Sequence, residues 1–223
     1  MTEAASRLFF PGFLARPHTY DEGLPDGWEA LRPPPPRVTH GSLSSLRRWA
    51  IGEIAGRSGR SIVAGHSLGA ALAVLAALSE PERVEELLLI APAGLPLTKP
   101  VRDSVRELVV QLCTRTYPVS DVSSAALELA SAPRAAVRLV RSLRRLDLSE
   151  HMRGLRALGI PTTVVGCASD TLVTPAHCRR AAEHLGADYR ELELPGGHVW
   201  MLYRPSALES VLRDATSTTS ATP

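Results

Sequence analysis

Residues 62–78 read IVAGHSLGAALAVLAAL, from Ile62 to Leu78. A β-branched run beginning at Ser61 leads into Gly65-His66-Ser67-Leu68-Gly69, and then into a stretch of alanine and leucine that ends near Ser79. This pattern predicts a buried strand, a tight turn, and a helix of small residues able to pack close to a sheet. Gly-x-Ser-x-Gly at such a junction meets a geometric need. The serine sits on a sharp strand-to-helix turn, and its neighbours must be small where backbones approach. A structural turn alone explains the glycines; a nucleophilic Ser67 explains the serine as well.

The flanking sequence repeats the alternation of strand and helix. Arg7 to Phe10 reads as a strand closed by Pro11-Gly12, and Trp28 to Arg32 as a second, stopped by Pro33 to Pro36. Ser42 caps a helix that runs to about Gly56, with Leu43, Leu46, Trp49, Ala50 and Ile54 on one face. Further strands are expected at Val84 to Ile90, Pro161 to Gly166 and Tyr189 to Leu194, and helices at Pro175 to Leu185 and Pro205 to Ala215. Most of these strands are continuous apolar runs, the mark of a parallel sheet covered on both faces. From Leu95 to Leu146 no strand is legible. Helices broken near Tyr117-Pro118 and Pro133 predict a cap inserted after a strand's C-terminal end, where such folds bind ligands. The expected fold is α/β: a mostly parallel sheet of about six strands flanked by helices, with a helical cap insertion. Residues 1–94 and 147–215 would form the core, residues 95–146 the cap, and residues 216–223 a disordered tail.

Composition narrows the function classes. The chain has 223 residues, 44% of them hydrophobic, which suits one domain with a real core. A net charge of +2 argues against nucleic acid or an anionic membrane as partner. Lys99 is the only lysine among 25 basic residues, and the arginines scatter over the whole chain, as genome base composition would produce. Cys113, Cys167 and Cys178 form no CxxC pair and no disulfide framework, consistent with reduced thiols in a cytosol. The start, MTEAASRLFF, does not read as a signal peptide, and no run approaches the ~20 apolar residues of a membrane span. A cytoplasmic location follows as an expectation.

A serine hydroxyl needs a base, a carboxylate to orient that base, and donors for the developing oxyanion. Asp170, in VVGCASDTLVTP, follows a buried strand, and His198, in LELPGGHVW, also follows a strand. Both loops therefore fall at the same C-terminal sheet edge as Ser67, in the chain order serine, acid, histidine. Gly196-Gly197 lets the chain turn so that the imidazole points back over that edge. The expected oxyanion donors are the backbone N–H of Leu68, at a helix N-terminus, and that of Phe13, in the loop FFPGFLAR after the first strand.

On these motifs the chain resembles an α/β-hydrolase of the large esterase–lipase-like superfamily over nearly its whole length. The resemblance rests on PGF near the start, GHSLGA, RVEELLLIAPAG, PTTVVGCASDTLVTP and PGGH. It implies Ser67 as nucleophile, Asp170 as acid and His198 as base, in chemistry that uses no cofactor. Pro11-Gly12 stands where the family often has His-Gly, but only the glycine and the next N–H are needed. The family's first two strands have no counterpart before Arg7, hence the expectation of about six.

Three readings lead: a carboxylesterase acting on a small-molecule ester, a thioesterase acting on an acyl-CoA or carrier-protein thioester, and a hydrolase-fold binding protein that keeps the site as a ligand pocket; an acyltransferase or a carbon–carbon bond hydrolase also fits the triad. Among the other residues, Asp147 is the rival acid but follows helix-like sequence. His18, His40, His66, His151, His177 and His184 read as bystanders, with His66 expected to point away from Ser67. His177-Cys178 lacks a partner pair for a metal site. Arg134, Arg138, Arg141, Arg144 and Arg145 recur at helical spacing and read as a solvated helix face, or as a patch for an anionic substrate.

Overall fold

The computed structural model describes residues 5–13, 15–97 and 130–218. Most of the expected cap, residues 98–129, and the last five residues of the tail, 219–223, lie outside the described residues, as does Cys113.

Six strands form one sheet in the order β2-β1-β3-β4-β5-β6. They are β1 (Ser6–Phe10), β2 (Trp28–Ala30), β3 (Ser61–His66), β4 (Val84–Ile90), β5 (Thr162–Cys167) and β6 (Asp188–Leu192). Every pairing is parallel. The helices are α1 (Pro36–Thr39), α2 (Leu43–Ala55), α3 (Leu68–Ser79), α4 (Pro133–Arg144), α5 (Ser149–Ala157), α6 (Pro175–Leu185) and α7 (Pro205–Thr218). The last runs slightly past its expected end at Ala215.

The apolar strands are continuous because each feeds two cores. Leu8, Phe10, Val63, Leu87, Leu89 and Val164 pack against α2, α3, α5 and α6 on one face. Their neighbours Phe9, Ala64, Leu88, Ile90, Val165 and Cys167 pack on the other face against Tyr20, Trp200 and Leu208, Val211 and Leu212 of α7. Successive strand residues point to opposite faces, so both sets must be apolar. At the edges the rule relaxes: β6 carries Asp188, Arg190 and Glu191 and is only partly buried.

α3 is buried from Leu68 to Ala77, which its alanines permit by letting the helix axis lie close to the sheet. α2 starts where Ser42 accepts a hydrogen bond from the Ser45 N–H at 3.3 Å, and it buries Leu46, Ala50 and Ile54. α4 and α5 lie between β4 and β5. The arginine row falls on α4 and just beyond it, with Arg134, Arg138, Arg141 and Arg145 exposed.

Parallel pairing places the site. Phe10 pairs with Gly65, so the chain leaving β1 emerges beside the β3–α3 turn. Val165 pairs with Ile90 and Cys167 with Leu192, so the loops after β5 and β6 open at the same edge.

Candidate active site

Ser67 is the N-cap of α3, with φ 54° and ψ −114°. A positive φ in a non-glycine residue is strained and persists only where the surroundings impose it. Here Ser67 N–H donates to the Ile90 carbonyl at 2.9 Å, and its own carbonyl accepts from Ala71 and Ala93. The two glycines make the turn possible. A Cβ on Gly65 would stand 2.7 Å from Gly69 and Ala70 backbone atoms, and one on Gly69 would stand 2.0 Å from the Phe10 carbonyl oxygen.

Three side chains expected from the sequence meet at this edge. Ser67 Oγ lies 3.0 Å from His198 Nε2. His198 Nδ1 lies 2.8 Å from Asp170 Oδ2. Both Asp170 and His198 are buried. The other Asp170 oxygen, Oδ1, accepts N–H bonds from Leu172 at 2.8 Å and Val173 at 2.9 Å. A carboxylate so held is acceptor-only, so His198 Nδ1 carries a hydrogen and in the neutral ring Nε2 is free to accept the Ser67 proton. Gly196 and Gly197, at φ 124° and 62°, make the turn that brings the imidazole back over the sheet.

Both residues expected to give the oxyanion donors, Phe13 and Leu68, border one cavity. Leu68 opens α3, where an N–H has no partner within the helix. A cavity of about 290 Å³ is lined by Gly12, Phe13 and Leu68. Leu46, Leu72 and Leu139 give it apolar walls. Asp147, the rival acid, is exposed and accepts from the Ser149 N–H at the start of α5, away from this group.

Two features go beyond the sequence reading. Ser169 Oγ donates to the Leu194 carbonyl at 2.6 Å and accepts from the Gly197 N–H at 3.0 Å, fastening the Asp170 loop to the His198 loop. The second feature is the set of partners of His66. Its ring bonds Tyr20 Oη through Nδ1 at 2.9 Å and the His198 carbonyl through Nε2 at 3.1 Å. Burial, with His198 nearby, holds its pKa well below the usual histidine range. Its place at the end of an otherwise apolar strand was the available signal, since a buried polar side chain needs partners.

Among the described residues no three metal-ligating side chains gather, and no helix is long and apolar enough to cross a membrane.

Comparison with known proteins agrees with this architecture. The chain is 26% identical over 178 residues to a Klebsiella pneumoniae protein named "Putative carbamate hydrolase RutD", a match spanning 71% of this chain and 66%, just under two thirds, of that relative. The enol-lactonase of Burkholderia xenovorans LB400 superposes with a TM-score of 0.73 at 17% identity, covering 96% of this chain and 92% of that one. Est816, described as an N-acyl homoserine lactone degrading enzyme, superposes with a TM-score of 0.75 at 17% identity, covering 95% and 93%. At these identities the two structures share the fold. The model of the Alpha/beta hydrolase family matches residues 8–211, nearly the whole of the described sheet and the helices around it, and the chain belongs to that family.

Proposed function

We propose that this hydrolase cleaves carboxylic esters of small molecules through an acyl-enzyme, with Ser67 as nucleophile, His198 as base and Asp170 as the carboxylate that orients it. The carrying observation is the continuous hydrogen-bonded chain from Ser67 Oγ to His198 Nε2 at 3.0 Å and from His198 Nδ1 to Asp170 at 2.8 Å, on a serine held at φ 54°.

In this reading Ser67 Oγ attacks the ester carbonyl carbon as His198 Nε2 takes its proton. The carbonyl oxygen becomes an oxyanion, which in this reading the backbone N–H groups of Leu68 and Phe13 stabilise. Asp170 stabilises the imidazolium without accepting its proton. Collapse breaks the bond to the alkoxy group, which leaves with the proton from His198. A water then attacks the acyl-enzyme by the same steps and returns the proton to Ser67 Oγ.

The test is hydrolysis of p-nitrophenyl esters from acetate to palmitate by wild type and Ser67→Ala. The wild type should hydrolyse at least the short-chain esters of the series. The variant should lose at least about a thousandfold in kcat. Equal rates in the two proteins would refute the assignment.

A further inference from the structure

Gly12, Tyr20, His66 and His198 are joined by hydrogen bonds through the side of the sheet that carries α7. Gly12 N–H donates to Tyr20 Oη at 3.1 Å. Tyr20 Oη meets His66 Nδ1 at 2.9 Å, and His66 Nε2 meets the His198 carbonyl at 3.1 Å. All three contacts are buried.

The direction of each bond follows from donor and acceptor capacity. A carbonyl oxygen only accepts, so His66 Nε2 must carry hydrogen. Burial keeps the ring neutral, so Nδ1 is bare and accepts. Tyr20 O–H therefore donates to Nδ1, and its lone pair takes the Gly12 N–H. The Gly12 N–H, the Tyr20 hydroxyl and both His66 ring nitrogens are satisfied together in this one arrangement. A protonated His66 would turn Nδ1–H against the Tyr20 hydroxyl and leave that hydroxyl proton without an acceptor.

We propose that Tyr20 and His66 are positioning residues, a buried relay that holds the oxyanion loop and the base loop in fixed register across the nucleophile turn. One end pins the peptide N–H directly before Phe13. The other pins the backbone of the residue whose ring contacts Ser67. Gly12 is part of the device: a Cβ there would stand 2.8 Å from His66 Nδ1 and 3.3 Å from Tyr20 Oη. The relay rests on the serine-hydrolase reading of the site for its catalytic meaning, but its hydrogen-bond pattern can be read independently.

The test uses the full chain and the variants Tyr20→Phe, His66→Asn, His66→Gln and Tyr20→Phe/His66→Asn. Rates are expressed per active serine counted with a fluorophosphonate. Asparagine keeps an acceptor near the Nδ1 position, whereas glutamine places its amide nitrogen near that of Nε2. Tyr20→Phe and His66→Asn should each lower kcat about 10- to 100-fold with KM changed by less than about threefold, as expected for small displacements of reacting groups. The double variant should be no worse than His66→Asn, since both break one chain, and His66→Gln, which can keep the bond to the His198 carbonyl but gives Tyr20 no acceptor, should fall to about the level of Tyr20→Phe. Unchanged kcat per active serine in Tyr20→Phe and His66→Asn, with only the melting temperature lowered, would overturn the proposal. Nitrogen-15 NMR of wild type should show His66 as the Nε2–H tautomer, with the Nδ1 resonance shifting in Tyr20→Phe. An Nδ1–H tautomer would also overturn it. The tautomer is visible whether or not an ester is turned over, so the relay and the serine reading fail separately.

Discussion

Gly69 faces the Phe10 carbonyl so closely that a methyl group on its Cα would sit 2.0 Å from the oxygen and 2.6 Å from the Pro11 carbonyl oxygen. The second glycine of the turn around Ser67 thus serves the neighbouring strand. It lets the end of β1, and the Gly12-Phe13 loop after it, lie against the start of α3. In Gly69→Ala both opposing atoms are backbone, so the loop must move. Stability should fall by about 3 kcal/mol, at the severe end of overpacking, and esterase activity should fall further than in a core variant of equal melting temperature. Thermal melts and p-nitrophenyl acetate kinetics check this.

Strain at Ser67 predicts a second difference. Ser67→Gly and Ser67→Ala both remove the hydroxyl and its bond to His198, and they differ only in Cβ. At φ 54° and ψ −114° glycine relaxes where alanine cannot. Ser67→Gly should be the more stable by about 1 kcal/mol, a few degrees in melting temperature for a chain of this size. Equal melts would mean that the turn stores no strain.

Ser169 ties the Asp170 loop to the His198 loop through Leu194 and Gly197. In Ser169→Ala the two bonds vanish with little change in packing. His198, the proposed base, loses part of its support, and kcat should fall about 3- to 10-fold with the melt lowered by roughly 1 kcal/mol. A change in KM alone would contradict this role.

The acid limb of stability should follow two buried histidines. Burial lowers the pKa of His177 to about 4, with the charge of Arg180 adding to the effect and Asp170 opposing it. Burial holds His66 well below its usual value too. Below an unfolded pKa of 6.5 the unfolded chain binds protons that the folded chain refuses. Stability is thus fully present above that pH and is lost as pH falls toward the folded values. His177 alone accounts for about 3 kcal/mol over this window. In His177→Leu the difference between melts at pH 8 and pH 5 should shrink; an unchanged difference would clear His177 of the effect.

The strands were legible because burial on both faces leaves an apolar run that few other elements produce. Ser67 and Asp170 were legible because each follows such a run, and His198 because it follows a strand and a Gly-Gly turn, so parallel pairing gathers all three at one edge. What lay hidden depends on distant or weakly patterned residues. Helix α5 buries only Met152 and Leu155 in nine residues, too little periodicity to announce itself. Helix α1 begins inside the proline run, where Pro36 suits a first turn. The expected strand at Tyr189 to Leu194 is shifted to Asp188–Leu192, its edge position blurring the apolar signal. His66 meets partners 46 and 132 residues away in sequence, and no local spacing encodes that meeting.

The most direct measurement is the intact mass of the protein after brief exposure to a fluorophosphonate, followed by mapping of the modified peptide. One adduct per chain is expected, located on Ser67, lost in Ser67→Ala and formed at least a hundredfold more slowly in His198→Ala. No adduct on the wild-type protein, or an adduct on another residue with Ser67 unmodified, would contradict Ser67 as the nucleophile.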